Sequence, residues 1–252
     1  MGEAKELMKE KAWSFSRLST YESCPHSWKL QYIDKKEQEQ NAFAFCGSLM
    51  HKAIEDILNG EKTPQEAAMD FREDVWQAPP LPKFLDGWFY KMQDNVSVWL
   101  ANFKMPSSVM GVEPEFNIPF GKDKLKGFID LVTHKKDVGI VVTDWKISKM
   151  FSGDDVKKKR RQIYLYGAAC EQLYGEKPKR LVFVFPKDEG KWLVFDWNED
   201  DYQEALEWGL STAEKIKEET DWKPKEDVGD FFCDNLCGVR KHCKFYQEWK
   251  NK

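Results

Sequence analysis

Val138-Gly-Ile-Val-Val-Thr-Asp144-Trp145-Lys146 is the stretch from which the rest of the chain can be read. Val138 to Thr143 is a nearly continuous apolar run, the pattern of a strand buried on both faces. Asp144-Trp145-Lys146 ends it, and positions i and i+2 of a strand share a face, so Asp144 and Lys146 project together. Gly127-Phe-Ile-Asp-Leu-Val132 reads as the preceding strand, closed by Asp130, with His134-Lys-Lys-Asp137 as the polar turn between the two. Thirteen residues separate Asp130 from Asp144, and a hairpin of that length brings both to one end of a sheet. Two neighbouring carboxylates repel, which raises a proton affinity or recruits a divalent cation. A lysine beside them can orient water or stabilise charge on a phosphate. That combination suits metal-assisted phosphodiester hydrolysis, in which the ion polarises the phosphoryl oxygen and acidifies a bound water.

Further out, Phe116-Asn-Ile118 alternates upstream, while Leu181-Val-Phe-Val-Phe185 and Trp192-Leu-Val-Phe195 read as two strands downstream. Helical patterns over 155–174 and near 199–218 separate and follow those strands. Before Met110 the texture is helical. Ser14 and Ser16 precede a capped start carrying Leu18 and Tyr21, and Pro25 suits the first turn of a short helix. Phe43, Gly47, His51, Ile54 and Leu58 recur at helical spacing over 42–58. Thr63-Pro64-Gln-Glu66 caps a helix through Trp76, Ala78-Pro-Pro-Leu-Pro82 breaks the chain, and another helix runs near 84–104. The expected organisation is a single α/β domain over 1–252, with a mainly helical part at 14–110, a sheet-containing core at 111–220 and a cysteine-bearing tail at 221–252.

Composition sets the outer limits. The 252 residues fit one large domain or two small ones at about 100–200 residues each. Apolar residues make 41% of the chain, which excludes wholesale disorder and collagen. No apolar run approaches the roughly 18 residues of a membrane span. Met1-Gly-Glu-Ala-Lys-Glu-Leu-Met-Lys-Glu10 alternates charges and lacks the apolar core of a secretory signal, and Glu6 spoils a myristoylation match. A cytoplasmic protein without a membrane partner is expected. Net charge is −4, so any nucleic-acid binding must be local rather than driven by bulk charge. Lys157-Lys-Lys-Arg-Arg161 is the longest basic run and precedes Gln162 and Tyr166, which share a helix face four residues apart. Glu115 is a candidate to support a metal. Trp76, Trp88 and Trp99 sit at spacings that read as core packing, with base stacking as the alternative.

Six cysteines are too few for a disulfide scaffold of this length. Cys46 and Cys170 lie in apolar helical surroundings and read as buried thiols. Cys233, Cys237 and Cys243 fall within eleven residues of a glycine-containing tail, a density that points to metal ligation.

Taken in order, Ser16-x-Leu18-x-x-Tyr21-x-x-Cys24-Pro25, Gly47-x-x-x-His51, Gly127-x-Ile129-Asp130, Asp144-x-Lys146 and Gln162-x-x-x-Tyr166 resemble the RecB-type branch of the PD-(D/E)XK nucleases. That branch includes CRISPR-associated exonucleases and the nuclease domains of bacterial helicase–nucleases. The resemblance spans about residue 14 to the last cysteine. It implies a restriction-endonuclease-like core with a mixed central sheet, and Mg²⁺ or Mn²⁺ held by His51, Asp130 and Asp144. By the same resemblance Lys146 is the catalytic lysine, and Gln162 and Tyr166 lie near the scissile DNA strand. In the family, one cysteine before the core and three after it hold a 4Fe–4S cluster, a role that falls here to Cys24, Cys233, Cys237 and Cys243. The gap Cys233-x-x-x-Cys237 is one residue longer than the family's usual spacing, and His242 is a substitute ligand. Four sulfurs also suit tetrahedral zinc. The implied activity is metal-dependent exonuclease action on single-stranded DNA ends. The chain lacks a Gly-x-x-x-x-Gly-Lys-Ser/Thr loop, so a helicase or recombination partner would supply any motor. The rival expectation is a non-catalytic iron–sulfur DNA-binding component of a helicase–nuclease-like complex.

Overall fold

In a computed structural model, which describes Ala4 and residues 12–251, local signals set where the helices begin. The charged start Met1–Glu10 lies, Ala4 apart, outside the described residues. Ser14 Oγ accepts the Arg17 N–H and caps α1, Phe15–Ser23. Cys24 caps α2, Pro25–Trp28, whose first residue is a proline with no N–H to leave unsatisfied. A π-helical turn, Lys29–Ile33, follows. α3 runs Ala42–Leu58. Thr63 and Glu66 exchange hydrogen bonds in a full capping box ahead of α4, Pro64–Asp74, and α5 covers Asp86–Ala101.

Strands β1 (Val109–Val112), β2 (Glu115–Phe120), β3 (Asp123–Phe128), β4 (Leu131–Lys135) and β5 (Gly139–Trp145) precede α6, Asp154–Tyr174. β6 (Arg180–Phe185), β7 (Lys191–Asp196), α7 (Glu199–Glu218) and α8 (Lys244–Lys250) complete the order. Two compact units result, one of residues 42–116 and 128–205, the other of 1–41, 117–127 and 206–252.

The first unit holds a five-stranded sheet in the order β1-β4-β5-β6-β7. β5 pairs antiparallel with β4 and parallel with β6, and the parallel pair is joined through the crossover helix α6. Alternation sorts the central strands' side chains. Leu131, Val141, Trp145, Val182 and Val184 enter a core with Met50, Ile54, Phe71 and Val96 of α3 to α5. Neighbouring positions such as Ile140, Val142, Leu181 and Phe183 are equally buried, and α6 packs on β5 and β6. The continuous apolar run at 138–143 therefore belongs to a strand covered on both faces. In the second unit, β2 and β3 form a two-stranded hairpin. Trp13 bridges to Leu125, and its indole N–H donates to Asp123 at 3.0 Å.

Two expectations differ from the structure. Gly127–Val132 is not one strand: β3 ends at Phe128, β4 starts at Leu131, and Asp130 stands just before the second strand rather than closing the first. Leu131 pairs with Thr143, so the register still sets Asp130 level with Asp144. The second difference is β1, which lies in Val109-Met-Gly-Val112, too short and too little alternating to read as a strand; the structure thus has five strands before α6 where the sequence suggests three.

β6 and β7 are joined by a tight turn in which Glu189 and Gly190 both take left-handed backbone, at φ +62° and +71°. The Trp99 indole stands 2.5 Å from where a Gly190 Cβ would be. Gly190→Ala is therefore expected to lower unfolding stability by about 1–3 kcal/mol through overpacking and a strained φ. Urea denaturation checks this, and an unchanged midpoint would show that the turn yields.

Candidate active site

Four segments of the 42–116 and 128–205 unit converge at one end of its sheet: α3, the β1–β2 bend, the residues just before β4, and the end of β5. Each delivers one polar side chain for a local reason. Register sets Asp130 beside Asp144, as above. His51 lies four residues after Gly47, one turn along the same face of α3. Glu113 takes φ +49°, a left-handed conformation uncommon for a residue with a Cβ, and its N–H donates to the Asp130 carbonyl at 3.1 Å.

His51 Nδ1 is 3.4 Å from Asp130 Oδ2 and 4.0 Å from Glu113 Oε1. Its other nitrogen, Nε2, lies 3.0 Å from the Trp145 carbonyl. A carbonyl can only accept, so Nε2 carries hydrogen and Nδ1 is the nitrogen left facing the carboxylates. This is how metal-binding histidines are usually oriented, with the second ring nitrogen tied to a backbone acceptor. The Trp145 N–H donates to Asp130 Oδ2 at 2.8 Å. One atom each from His51, Glu113 and Asp130 all lie within 4.8 Å of one another, a set of hard and borderline ligands that could hold a divalent cation.

Asp144 is 2% exposed, yet its Oδ2 has no hydrogen-bond partner. Lys146 Nζ stands 2.6 Å from that oxygen as an ion contact out of line for a hydrogen bond, and it donates instead to Gln162 Oε1 at 2.9 Å. A buried carboxylate oxygen met by an ammonium alone keeps lone pairs that a cation could take up. With His51 neutral, as a metal ligand must be, three carboxylates and one lysine leave a formal charge of about −2, which a divalent cation would cancel.

The ionisable groups register this imbalance. Burial disfavours the imidazolium of His51, but Glu113, Asp130 and Asp144 outweigh it and hold the ring's pKa up at about 9. Burial, and then the charge of Asp144, raises the Asp130 carboxyl well above the usual range. The Tyr166 hydroxyl is raised above its ordinary range by burial first and then by Asp144, Asp130 and Glu113, while Gln162 opposes the rise. Tyr166 thus stays a protonated donor facing the carboxylates, with its ring packed edge-on to Phe116 at 5.2 Å.

His51, Asp130, Asp144, Lys146, Gln162 and Tyr166 are therefore brought together. Glu113 is a member the sequence reading missed. Glu115, expected in that role, is exposed on β2. No side-chain pattern distinguishes the two glutamates; what selects Glu113 is a backbone bend. Within the basic run, Arg160 pairs with Asp201 at 2.7 Å and Arg161 with Glu204 at 2.8 Å, while Lys157, Lys158 and Lys159 are exposed. Trp76 is exposed, while Trp88 and Trp99 are half-buried.

In the other unit, Cys24, Cys233, Cys237 and Cys243 line one cavity of about 340 Å³. Cys24 Sγ accepts the Ser27 N–H at 3.4 Å, and Cys237 Sγ lies 3.7 Å from Ser27 Oγ. Burial raises the pKa of Cys24, and burial with the other three thiols pushes Cys233 up to about 11. His242 is exposed and does not line the cavity. Cys46 and Cys170 are buried apart from this group, in the apolar role the sequence suggests.

A family model described as the PD-(D/E)XK nuclease superfamily matches residues 12–244. Over 82 residues the chain is 34% identical to one component of an ATP-dependent helicase/deoxyribonuclease of Carboxydothermus hydrogenoformans, a match covering 29% of this chain and 8% of that relative. The matched part is thus a small fraction of that protein's length. Among solved structures, a predicted exonuclease of Eubacterium rectale superimposes with a TM-score of 0.55 over 95% of this chain and 90% of that one, at 15% identity, a likeness of fold. With the five-stranded mixed sheet, it makes the core restriction-endonuclease-like. Among the described residues, no helix is long and apolar enough to cross a membrane.

Manganese titration of the full chain separates the two glutamates. Glu113→Gln is expected to weaken Mn²⁺ binding at least about tenfold by removing a charged ligand, and Glu115→Gln to leave it unchanged. Equal affinities in isothermal calorimetry would remove Glu113 from the site.

Proposed function

The chain belongs to the PD-(D/E)XK nuclease superfamily, in its RecB-type branch, and from that premise we propose that it is a Mg²⁺- or Mn²⁺-dependent deoxyribonuclease degrading single-stranded DNA from its ends. The observation that carries the reading is the convergence of His51, Glu113 and Asp130 beside a buried Asp144 oxygen whose one partner among the described residues is the Lys146 ammonium. These residues fit a divalent ion in donor type, spacing and charge. In this reading His51, Glu113, Asp130 and Asp144 hold it. A cation bound there polarises the scissile phosphoryl oxygen and supplies a water of lowered pKa.

The side chains of the protein do the rest. The Trp145 carbonyl keeps His51 in the tautomer with Nδ1 available. Lys146, held by Gln162 and Asp144, presents an ammonium that stabilises the phosphate's developing charge and orients the attacking water. Tyr166 offers a hydroxyl proton toward the strand. Residues 1–252 act, in this view, as one nuclease domain. The helicase/deoxyribonuclease relative supports a helicase partner, since this chain carries no phosphate-binding loop of its own.

We further propose that Cys24, Cys233, Cys237 and Cys243 hold a 4Fe–4S cluster. Their shared cavity fits an inorganic group larger than one ion. A single tetrahedral zinc needs sulfurs about 3.8 Å apart, and among the described residues the thiols do not form a group packed within 4.8 Å. Burial raises the thiol pKa of Cys24, Cys233 and Cys243, and a bound cationic centre would favour their thiolates.

Incubating end-labelled linear and circular single strands with Mn²⁺ or Mg²⁺ tests the nuclease reading. Linear DNA should be degraded and circles spared. Asp144→Ala should abolish cleavage, and Lys146→Ala should lower kcat by about 10²–10⁴-fold with little change in KM. Cutting of circles at the same rate would overturn the exonuclease assignment, and metal-independent or absent cleavage the enzyme itself. For the cysteines, purified protein should be brown with about four irons per chain. Cys24→Ala should lose iron and melt at a lower temperature, because ligand loss removes folding free energy. Stoichiometric zinc in a colourless preparation would replace the cluster.

A further inference from the structure

Lys187 is the one lysine in the buried class among the described residues, at 4% exposure. It stands in the 3₁₀ turn Pro186–Asp188 after β6. The turn is fixed from several sides. Asn95 of α5 donates to the Lys187 carbonyl at 2.7 Å, and the two left-handed residues that follow are braced by Trp99. The Lys187 ammonium lies 5.4 Å from the centre of the Trp88 ring. No carboxylate among the described residues pairs with it. Its neighbour Asp188 is already engaged, by Lys191 at 3.2 Å and by the Met150 N–H at 3.1 Å. Burial, and then the charges of exposed Lys149 and Lys91, lowers the proton affinity of Lys187, with Asp188 opposing the shift. The stem of Lys187 is buried and its ammonium is not among the buried unpartnered polar atoms, so a fixed, unpaired cation is presented at the surface, where an anion can meet it.

Its place in the sheet suggests which anion. The Lys146 N–H donates to the Val184 carbonyl at 2.9 Å, and Lys187 comes three residues later, so its Cα lies within about 11 Å of Val184's. Lys187 therefore sits at the same end of the parallel β5–β6 pair as Asp144 and Lys146. Exposed Trp76, in the 3₁₀ turn Val75–Gln77, and exposed Tyr90 of α5 have rings 5.9 Å apart, and α5 also carries Trp88 and Lys91. Flat exposed rings favour unpaired bases, and so a nucleic-acid phosphate over a free one.

We propose that Lys187, with Lys149 and Lys91, forms a phosphate-binding subsite that grips the DNA strand a few nucleotides from the scissile bond. This rests on the nuclease reading, and extends it to residues outside the metal-centred machinery.

Binding of a fluorescent single-stranded oligonucleotide to the full chain, in EDTA to prevent cleavage and across a salt series, tests the subsite. Lys187→Met keeps the apolar stem over Trp88 and removes the charge. It is expected to weaken binding roughly tenfold, and to flatten the slope of log affinity against log salt by about 0.7, the share of one phosphate contact on a single strand. In the cleavage assay KM should rise and kcat should hold. Lys149→Gln, on the exposed loop, should flatten the slope by a similar amount and stands in should Lys187→Met fail to fold. A wild type that cleaves, with unchanged slopes in both variants, overturns the subsite alone. A wild type that does not cleave but loses slope in both variants sinks the nuclease reading and leaves the subsite standing. Inorganic phosphate binding that depends on Lys187, with no effect on the oligonucleotide, would make it a free-anion site and overturn the proposal.

Discussion

Uncompensated negative charge at one end of a sheet is the constraint around which this protein is arranged. Glu113, Asp130 and Asp144 face a single lysine, and the Asp144 oxygen nearest that lysine still lacks a hydrogen bond. Such an arrangement survives only because its surroundings are rigid. Trp145 supplies much of that rigidity: its N–H binds Asp130, its carbonyl binds His51, and its ring is anchored in the apolar core. One residue thus fixes two candidate ligands while its neighbours on either side, Asp144 and Lys146, point to the opposite face. Burying each large apolar side chain of that core contributes about 1.5–3 kcal/mol, enough in sum to hold two enclosed carboxylates in place.

Much of this was legible without coordinates, because it depends on spacing. Helix α3 starts and stops where its apolar period does, and the two-residue interval from Asp144 to Lys146 states which face they share. Asp130 could be placed beside Asp144 from the length of the intervening segment, although the strand was expected to run through it. What could not be read is geometry that no side-chain period records. The break at Ile129 and Asp130, the short strand β1, and the left-handed Glu113 are all backbone events. For a related reason, charge along the chain says nothing of the acids on α7 that pair with Arg160 and Arg161 of the basic run. Lys187 went unnoticed because an isolated lysine in Pro-Lys-Asp reads as an ordinary surface turn.

The cysteines illustrate how a loop-rich segment can be ordered by a few contacts. Cys24 serves α2 as a helix cap even without a metal, its sulfur taking the Ser27 N–H. Cys233 and Cys237 occupy a π-helical turn and its end, and that wider turn accommodates the three residues between them. The spacing that departs from the family's habit therefore has a local conformation to match it, and all four thiols reach the same cavity.

Glu113 bears on how such a protein could be made more robust. A residue with a Cβ held at φ +49° gives up roughly 1–3 kcal/mol that glycine or asparagine at that position would recover in whole or part. Selection for heat resistance alone would therefore drift toward glycine at 113 and discard a carboxylate of the candidate metal site. The bend is a point where durability and chemistry pull against each other, and a hardened but inert descendant of this chain would first be recognised there.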